Sequence, residues 1–121
     1  MSLQLYTKEK QVTACLIGEI DHHGAGHLRE AIDEMVKRIH PDTLILDFRD
    51  VTFMDSSGIG LVMGRYRLVR EWGGTVEIHN PSPSIKKVMR LAGMDRIASI
   101  HSSPPAGGAS CEKTEAKRWK Y

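Results

Sequence analysis

The ten residues Val51-Thr52-Phe53-Met54-Asp55-Ser56-Ser57-Gly58-Ile59-Gly60 constrain the fold more than any other part of this chain. Upstream lies Thr43-Leu44-Ile45-Leu46-Asp47-Phe48, an apolar run with the length and density of a buried strand. Downstream, Ile59, Val62, Met63, Tyr66 and Val69 recur at helical spacing, so a helix starts near Ser57. The Asp-Ser-Ser triplet therefore falls at a loop-to-helix junction, past the carboxyl end of a strand. A side-chain oxygen placed there caps the free N–H groups of the first helical turn. The same N–H groups and the positive end of the helix dipole also favour a phosphate. On the residues alone, a serine here is either a plain cap or a site suited to phosphorylation.

The flanking chain reads as alternating strands and helices. Residues 3–7 and 12–18 are two extended segments separated by the polar Lys8-Glu9-Lys10-Gln11, a hairpin or meander that opens a sheet. Glu19-Ile20-Asp21-His22-His23-Gly24 reads as a polar loop leaving the second strand. From Ala25 onward, Leu28, Ile32, Met35, Val36 and Ile39 mark the apolar face of a first helix, which His40-Pro41-Asp42 ends. The strand at 43–48 and the serine loop follow, then a second helix to about Trp72, stopped by Gly73-Gly74. Residues 75–79 form a short strand. Ser82 and Ser84 can cap a third helix with Ile85, Val88, Met89 and Ala92 on one face, Gly93 closes it, and 97–100 make a last strand. The order β-β-α-β-α-β-α-β implies one α/β domain with a mixed central sheet, largely parallel in its middle, covered by helices. The domain spans 1–101. Residues 102–121 open with Pro104-Pro105 and Gly107-Gly108 and read as a flexible or weakly helical basic tail, with a helical turn or two near Trp119.

Charge limits the choice of partners. The tail holds Lys113, Lys117, Arg118 and Lys120 against Glu112 and Glu115, which accounts for the whole net charge of +2 and leaves the body neutral. A neutral body argues against direct nucleic-acid binding, which needs a concentrated basic face. No stretch approaches a membrane span, and the amino terminus lacks a basic segment followed by an apolar run, so no secretion signal is expected. Cys15 and Cys111 show no paired spacing, which fits a reducing cytoplasm.

Enzyme readings fare poorly. Neither Ser56 nor Ser57 sits in a Gly-x-Ser-x-Gly elbow. Gly58, Gly60 and Gly64 lack dinucleotide-loop spacing and are expected to let the second helix pack close to the sheet. His22, His23 and His27 lack the nearby fixed carboxylate or thiolate and the second shell that a metal site needs. Asp47, Asp50 and Asp55 suit turns and caps as well as acid–base work. No enzyme activity, metal or cofactor is expected.

With Gly18-Glu19-Ile20-Asp21-His22-His23 and Phe53-Met54-Asp55-Ser56-Ser57-Gly58-Ile59-Gly60 in view, the chain resembles a STAS domain. It is most similar to the anti-sigma factor antagonist branch of sporulating bacilli. The Asp-Ser-Ser-Gly loop carries the resemblance, and Gly64-Arg65-Tyr66 narrows it. The resemblance implies partner switching with an anti-sigma factor that is also a serine kinase. The unmodified antagonist binds it and releases the sigma factor for sporulation transcription, phosphorylation of Ser56 ends the interaction, and a PP2C-type phosphatase reverses that. It also implies a partner-binding surface of Glu19, Asp21, His23, Asp55, Ser56, Ser57 and Gly58. The alternative is a STAS adaptor module of another signalling or transport complex, its serine loop purely structural. Beyond residue 101 the family's final helix is interrupted here by the Pro-Pro and Gly-Gly pairs.

Overall fold

The structure is a computed structural model that describes residues 2–102 and 117–120. A tight hairpin begins it: β1 (Ser2–Lys8) turns through Glu9 and Lys10 into β2 (Gln11–Ile20), with Lys8 opposite Gln11. Then follow α1 (His22–Ile39), β3 (Thr43–Met54), α2 (Ser56–Arg70), β4 (Thr75–His79), α3 (Pro83–Leu91), a short 3-10 helix (Met94–Arg96), β5 (Ser99–His101) and β6 (Lys117–Lys120). The strand order is β5-β4-β3-β2-β1-β6. β2, β3, β4 and β5 run parallel, as their helical crossovers require, and β1 and β6 are antiparallel additions at one edge. The expected mixed sheet and element order are present.

Strand alternation sorts the sheet into two faces. Leu3, Leu5, Val12, Ala14, Leu16, Leu44, Leu46, Phe48, Val76 and Ile78 join one core with Leu28, Ile32, Met35 and Val36 of α1 and with Leu61, Val62 and Val69 of α2. The opposite face carries Tyr6, Thr13, Cys15, Ile45 and Asp47, all buried yet more polar. Cys15 is disulfide-bonded, which corrects the reading of unpaired thiols, so cysteine usage gives no footing for a reducing compartment. Cys111 lies outside the described residues.

Several boundaries differ from expectation, each for a local reason. α1 starts at His22, not near Ala25, because Asp21 caps it: the Gly24 N–H donates to Asp21 Oδ1 at 2.9 Å. The supposed loop at 19–24 is thus the end of β2 and the first turn of α1. β3 runs on to Met54, six residues past Phe48, with an extra residue relative to β2 at two bulges. α2 stops at Arg70, where Gly73 takes φ 82° and the Gly74 N–H closes on Val69 O at 2.8 Å. A side chain at Gly74 would run into the Pro41 carbonyl. α3 buries Ile85 and Met89 but exposes Val88 and Ala92. Its cap is Ser82, whose Oγ accepts from the Ile85 N–H. Trp119, expected in a helical turn, instead lies in β6, opposite Leu5. Of the expected tail at 102–121, residues 103–116 and 121 lie outside the described residues.

Candidate functional site

The site is built where β2 and β3 end side by side. Register pairs Glu19 with Phe53 and Ile20 with Met54, and the Asp55 N–H donates to Ile20 O at 3.2 Å. Both strands then pass straight into helices, so the first turns of α1 and α2 emerge together at the carboxyl edge of the sheet. Each helix begins with an aspartate cap, Asp21 for α1 and Asp55 for α2.

The two serines of α2 have different environments. Asp55 Oδ1 accepts from the Ser57 N–H at 2.8 Å and also, very closely, from the Ser57 hydroxyl. Ser57 is half-buried and held inside the cap. Ser56 is exposed, and among the described residues nothing hydrogen-bonds its hydroxyl. The Ser57 hydroxyl and N–H hold the Asp55 carboxyl below its ordinary range, against a smaller opposing effect of desolvation, and the His22 N–H and imidazole lower it further. Asp55 is therefore the cap of α2, with His22 of α1 close by, and a fixed negative charge beside Ser56.

Gly58 is buried because its backbone presses on the preceding strand. A Cβ there would overlap Met54 Cγ and Sδ. The expectation of close glycine packing holds at Gly58 alone, since Gly60 and Gly64 face open space. Glu19, Asp21 and His23 line a shallow pocket with Gly18, Gly24 and Thr52. Glu19 is thus an exposed strand residue and Asp21 a cap, rather than the two loop carboxylates expected. A second cleft, between the helix starts, is lined by His22, Arg29, Ser57 and Gly60 among others, which places an imidazole and a guanidinium near the cap. Phe53, next to Glu19 in register, is half exposed at 50%. The structure thus gathers Glu19, Asp21, His23, Asp55, Ser56, Ser57 and Gly58 around one edge of the sheet.

Sequence reading named Arg65 only within the Gly64-Arg65-Tyr66 stretch and missed its buried ion pair. Arg65 is buried in α2 with Nε 2.6 Å from Asp33 Oδ1 of α1. Neither atom has a hydrogen-bond partner in good geometry, so the contact is an ion pair. Desolvation lowers the Arg65 pKa more than Asp33 raises it. The available signal was Leu61, Arg65 and Val69 at four-residue spacing, a cation inside an apolar stripe. Leu61 and Arg65 take the buried positions given earlier to Met63. This pair fixes α2 against α1 two turns beyond the serines.

Comparison with known proteins agrees with this arrangement. Residues 3–105 match the STAS domain family. The anti-sigma F factor antagonist of Lysinibacillus sphaericus is 37% identical over 92 residues, covering 76% of this chain and 78% of the relative. The solved structure of the anti-sigma factor antagonist SpoIIAA in its unphosphorylated form superposes with a TM-score of 0.73 at 34% identity, over 81% of this chain and 86% of that one. The Bacillus cell fate determinant SpoIIAA in its phosphorylated form gives 0.66 at 34% identity, over 81% and 89%. A matched span that includes both helix starts and the serine loop settles the family: the chain belongs to the STAS-domain proteins, beside the anti-sigma factor antagonists.

Proposed function

We propose that this chain is an anti-sigma factor antagonist, a regulatory ligand and phosphorylation substrate rather than a catalyst. Its partner is an anti-sigma factor with serine kinase activity. The unmodified edge around Glu19, Asp21, His23, Asp55, Ser56, Ser57 and Gly58 binds that partner and frees the sigma factor. The partner then transfers the γ-phosphoryl of ATP to Ser56 Oγ; the hydroxyl proton leaves and ADP departs. A PP2C-type phosphatase hydrolyses the ester and restores the binding form. Work on a sigma factor places this cycle in the cytoplasm, and among the described residues no helix is long and apolar enough to cross a membrane.

The observation that carries the reading is the division of labour between adjacent serines. Ser57 is spent on the Asp55 cap, whereas the Ser56 hydroxyl is exposed at the first position of α2. Phosphate there adds about −1.5 to −2 charge at pH 7. The α2 dipole stabilises it locally, while Asp55 and the acidic edge with Glu19 oppose it. The fold need not change for the surface to change sign balance, bulk and hydrogen bonding. Existence of both phosphorylated and unphosphorylated SpoIIAA supports the same cycle here.

The test is displacement. Unmodified chain added to a complex of anti-sigma and sigma factors should release sigma, measured by size exclusion, and chain preincubated with kinase and ATP should release far less. Equal release by both forms would overturn the switch.

A further inference from the structure

A second cluster lies on the sheet face away from the helices. Glu77 and His79 are two residues apart on β4, so their side chains share a face. His101 of β5 stands opposite His79 in the parallel register. His79 Nε2 is 2.9 Å from Glu77 Oε1, His101 Nε2 is 4.0 Å from the same oxygen, and the two imidazole rings are 5.3 Å apart, centre to centre. One ligand atom from each residue lies within 4.8 Å of the other two. Ile78 and Ile100, the intervening pair, pack toward the core and hold the strands in register.

We propose that Glu77, His79 and His101 form a binding site for one divalent transition-metal ion. Tetrahedral bonds of about 2.0–2.1 Å set ligand atoms about 3.3 Å apart. The observed 2.9 and 4.0 Å bracket that value for the two carboxylate–imidazole pairs, and all three ligand atoms lie within 4.8 Å of one another, a spread of the size that side-chain rotation covers. Two imidazoles and a carboxylate select a zinc-like ion over magnesium or calcium, which take all-oxygen ligands. A fourth position faces water, because His101 is half exposed. Beside His79, on the neighbouring strand β3, Asp47 stands in register with it and is 1% exposed. Its carboxylate accepts from the Arg49 N–H at 2.9 Å and from Asn80 Nδ2 at 3.4 Å. An ion bound here ties the three-residue edge strand β5 to β4 and stabilises the folded chain by mass action. Among the described residues, His22, His23 and His27 are not brought together with a carboxylate in this way.

The experiment uses the tag-free full chain in non-reducing buffer. Titration calorimetry with Zn2+ and visible absorption with Co2+ should each give one equivalent, and Zn2+ should raise the melting temperature. His101→Ala, at an exposed position, should weaken binding about tenfold or more and lose the thermal shift. Glu77→Gln should also weaken it while keeping a hydrogen-bonding group beside His79. A triple variant, His22→Ala with His23→Ala and His27→Ala, should bind as wild type does. Failure of wild type to bind either ion would overturn the proposal, as would binding that survives His101→Ala and Glu77→Gln or disappears in the triple variant.

Discussion

The start of α2 and the β4–β5 corner both gather polar side chains at the carboxyl ends of parallel strands, yet by opposite means. At α2 the groups come from neighbours in sequence: Asp55, Ser56 and Ser57 are consecutive, and a helix N-terminus organises them. At the corner they come from two strands, and register alone brings His101 to His79. The first region offers N–H groups and a dipole that favour added negative charge. The second offers imidazole nitrogens and carboxylates that favour a cation. One edge of a parallel sheet can therefore serve two charge signs, according to whether a helix start or bare strand ends supply the ligands.

The comparison yields graded tests. The largest effect is expected away from both sites, at the ion pair that sets α2 in place. Asp33→Ala leaves Arg65 buried without its partner and should cost up to about 3 kcal/mol, because Asp33 is partly solvated. Chemical denaturation measures it; a change within 0.5 kcal/mol would mean the pair does not position α2. Ser56→Asp should weaken partner binding by roughly tenfold, or about 1.4 kcal/mol, since one carboxylate carries less charge and fewer acceptor oxygens than phosphate. Titration calorimetry with the anti-sigma partner decides this, and unchanged affinity would make charge at position 56 unimportant.

A smaller effect is expected at the neighbouring helix start. Asp21→Asn keeps a capping oxygen, so the fold should persist, while the lost charge should slow association a few-fold and flatten its salt dependence. Stopped-flow mixing at two ionic strengths tests it; equal rates and slopes would remove Asp21 from the interface. The smallest effect concerns pH. Asp55 has a folded pKa below its ordinary 3.8, so its charge stabilises the fold above that value and the benefit fades as pH falls through the lower folded pKa. Melting temperatures should favour wild type over Asp55→Asn at pH 7 and converge in strong acid. A gap that widens on acidification would contradict the cap's charge dependence.

The same contrast explains what was readable in the residues. Element order, the mixed sheet and the Asp-Ser-Ser helix start follow from periodicity and capping, which act over a few residues. The first turn of α1 was misread because His22, Gly24 and Gly26 look like loop residues, while Asp21's cap depends on the chain's exit direction from β2. β3 was read six residues short because Arg49, Asp50 and Thr52 break the apolar run, though pairing with β2 continues through bulges. The Arg65 ion pair was passed over because a lone cation in an apolar stripe gains its meaning only from Asp33 on another helix. His101 stands 22 residues after His79, and no local spacing connects them. What depended on long-range register or burial was not legible.

Which serine takes the phosphate is the most direct test of the proposed switch. Wild type, Ser56→Ala and Ser57→Ala would each be incubated with the partner kinase and ATP, and intact mass and peptide mapping would locate the modification. One phosphate on Ser56 is expected in wild type, none in Ser56→Ala despite retained partner binding, and measurable incorporation in Ser57→Ala, where loss of the hydroxyl weakens the cap without removing the acceptor. Phosphate confined to Ser57, or undiminished in Ser56→Ala, would contradict that assignment.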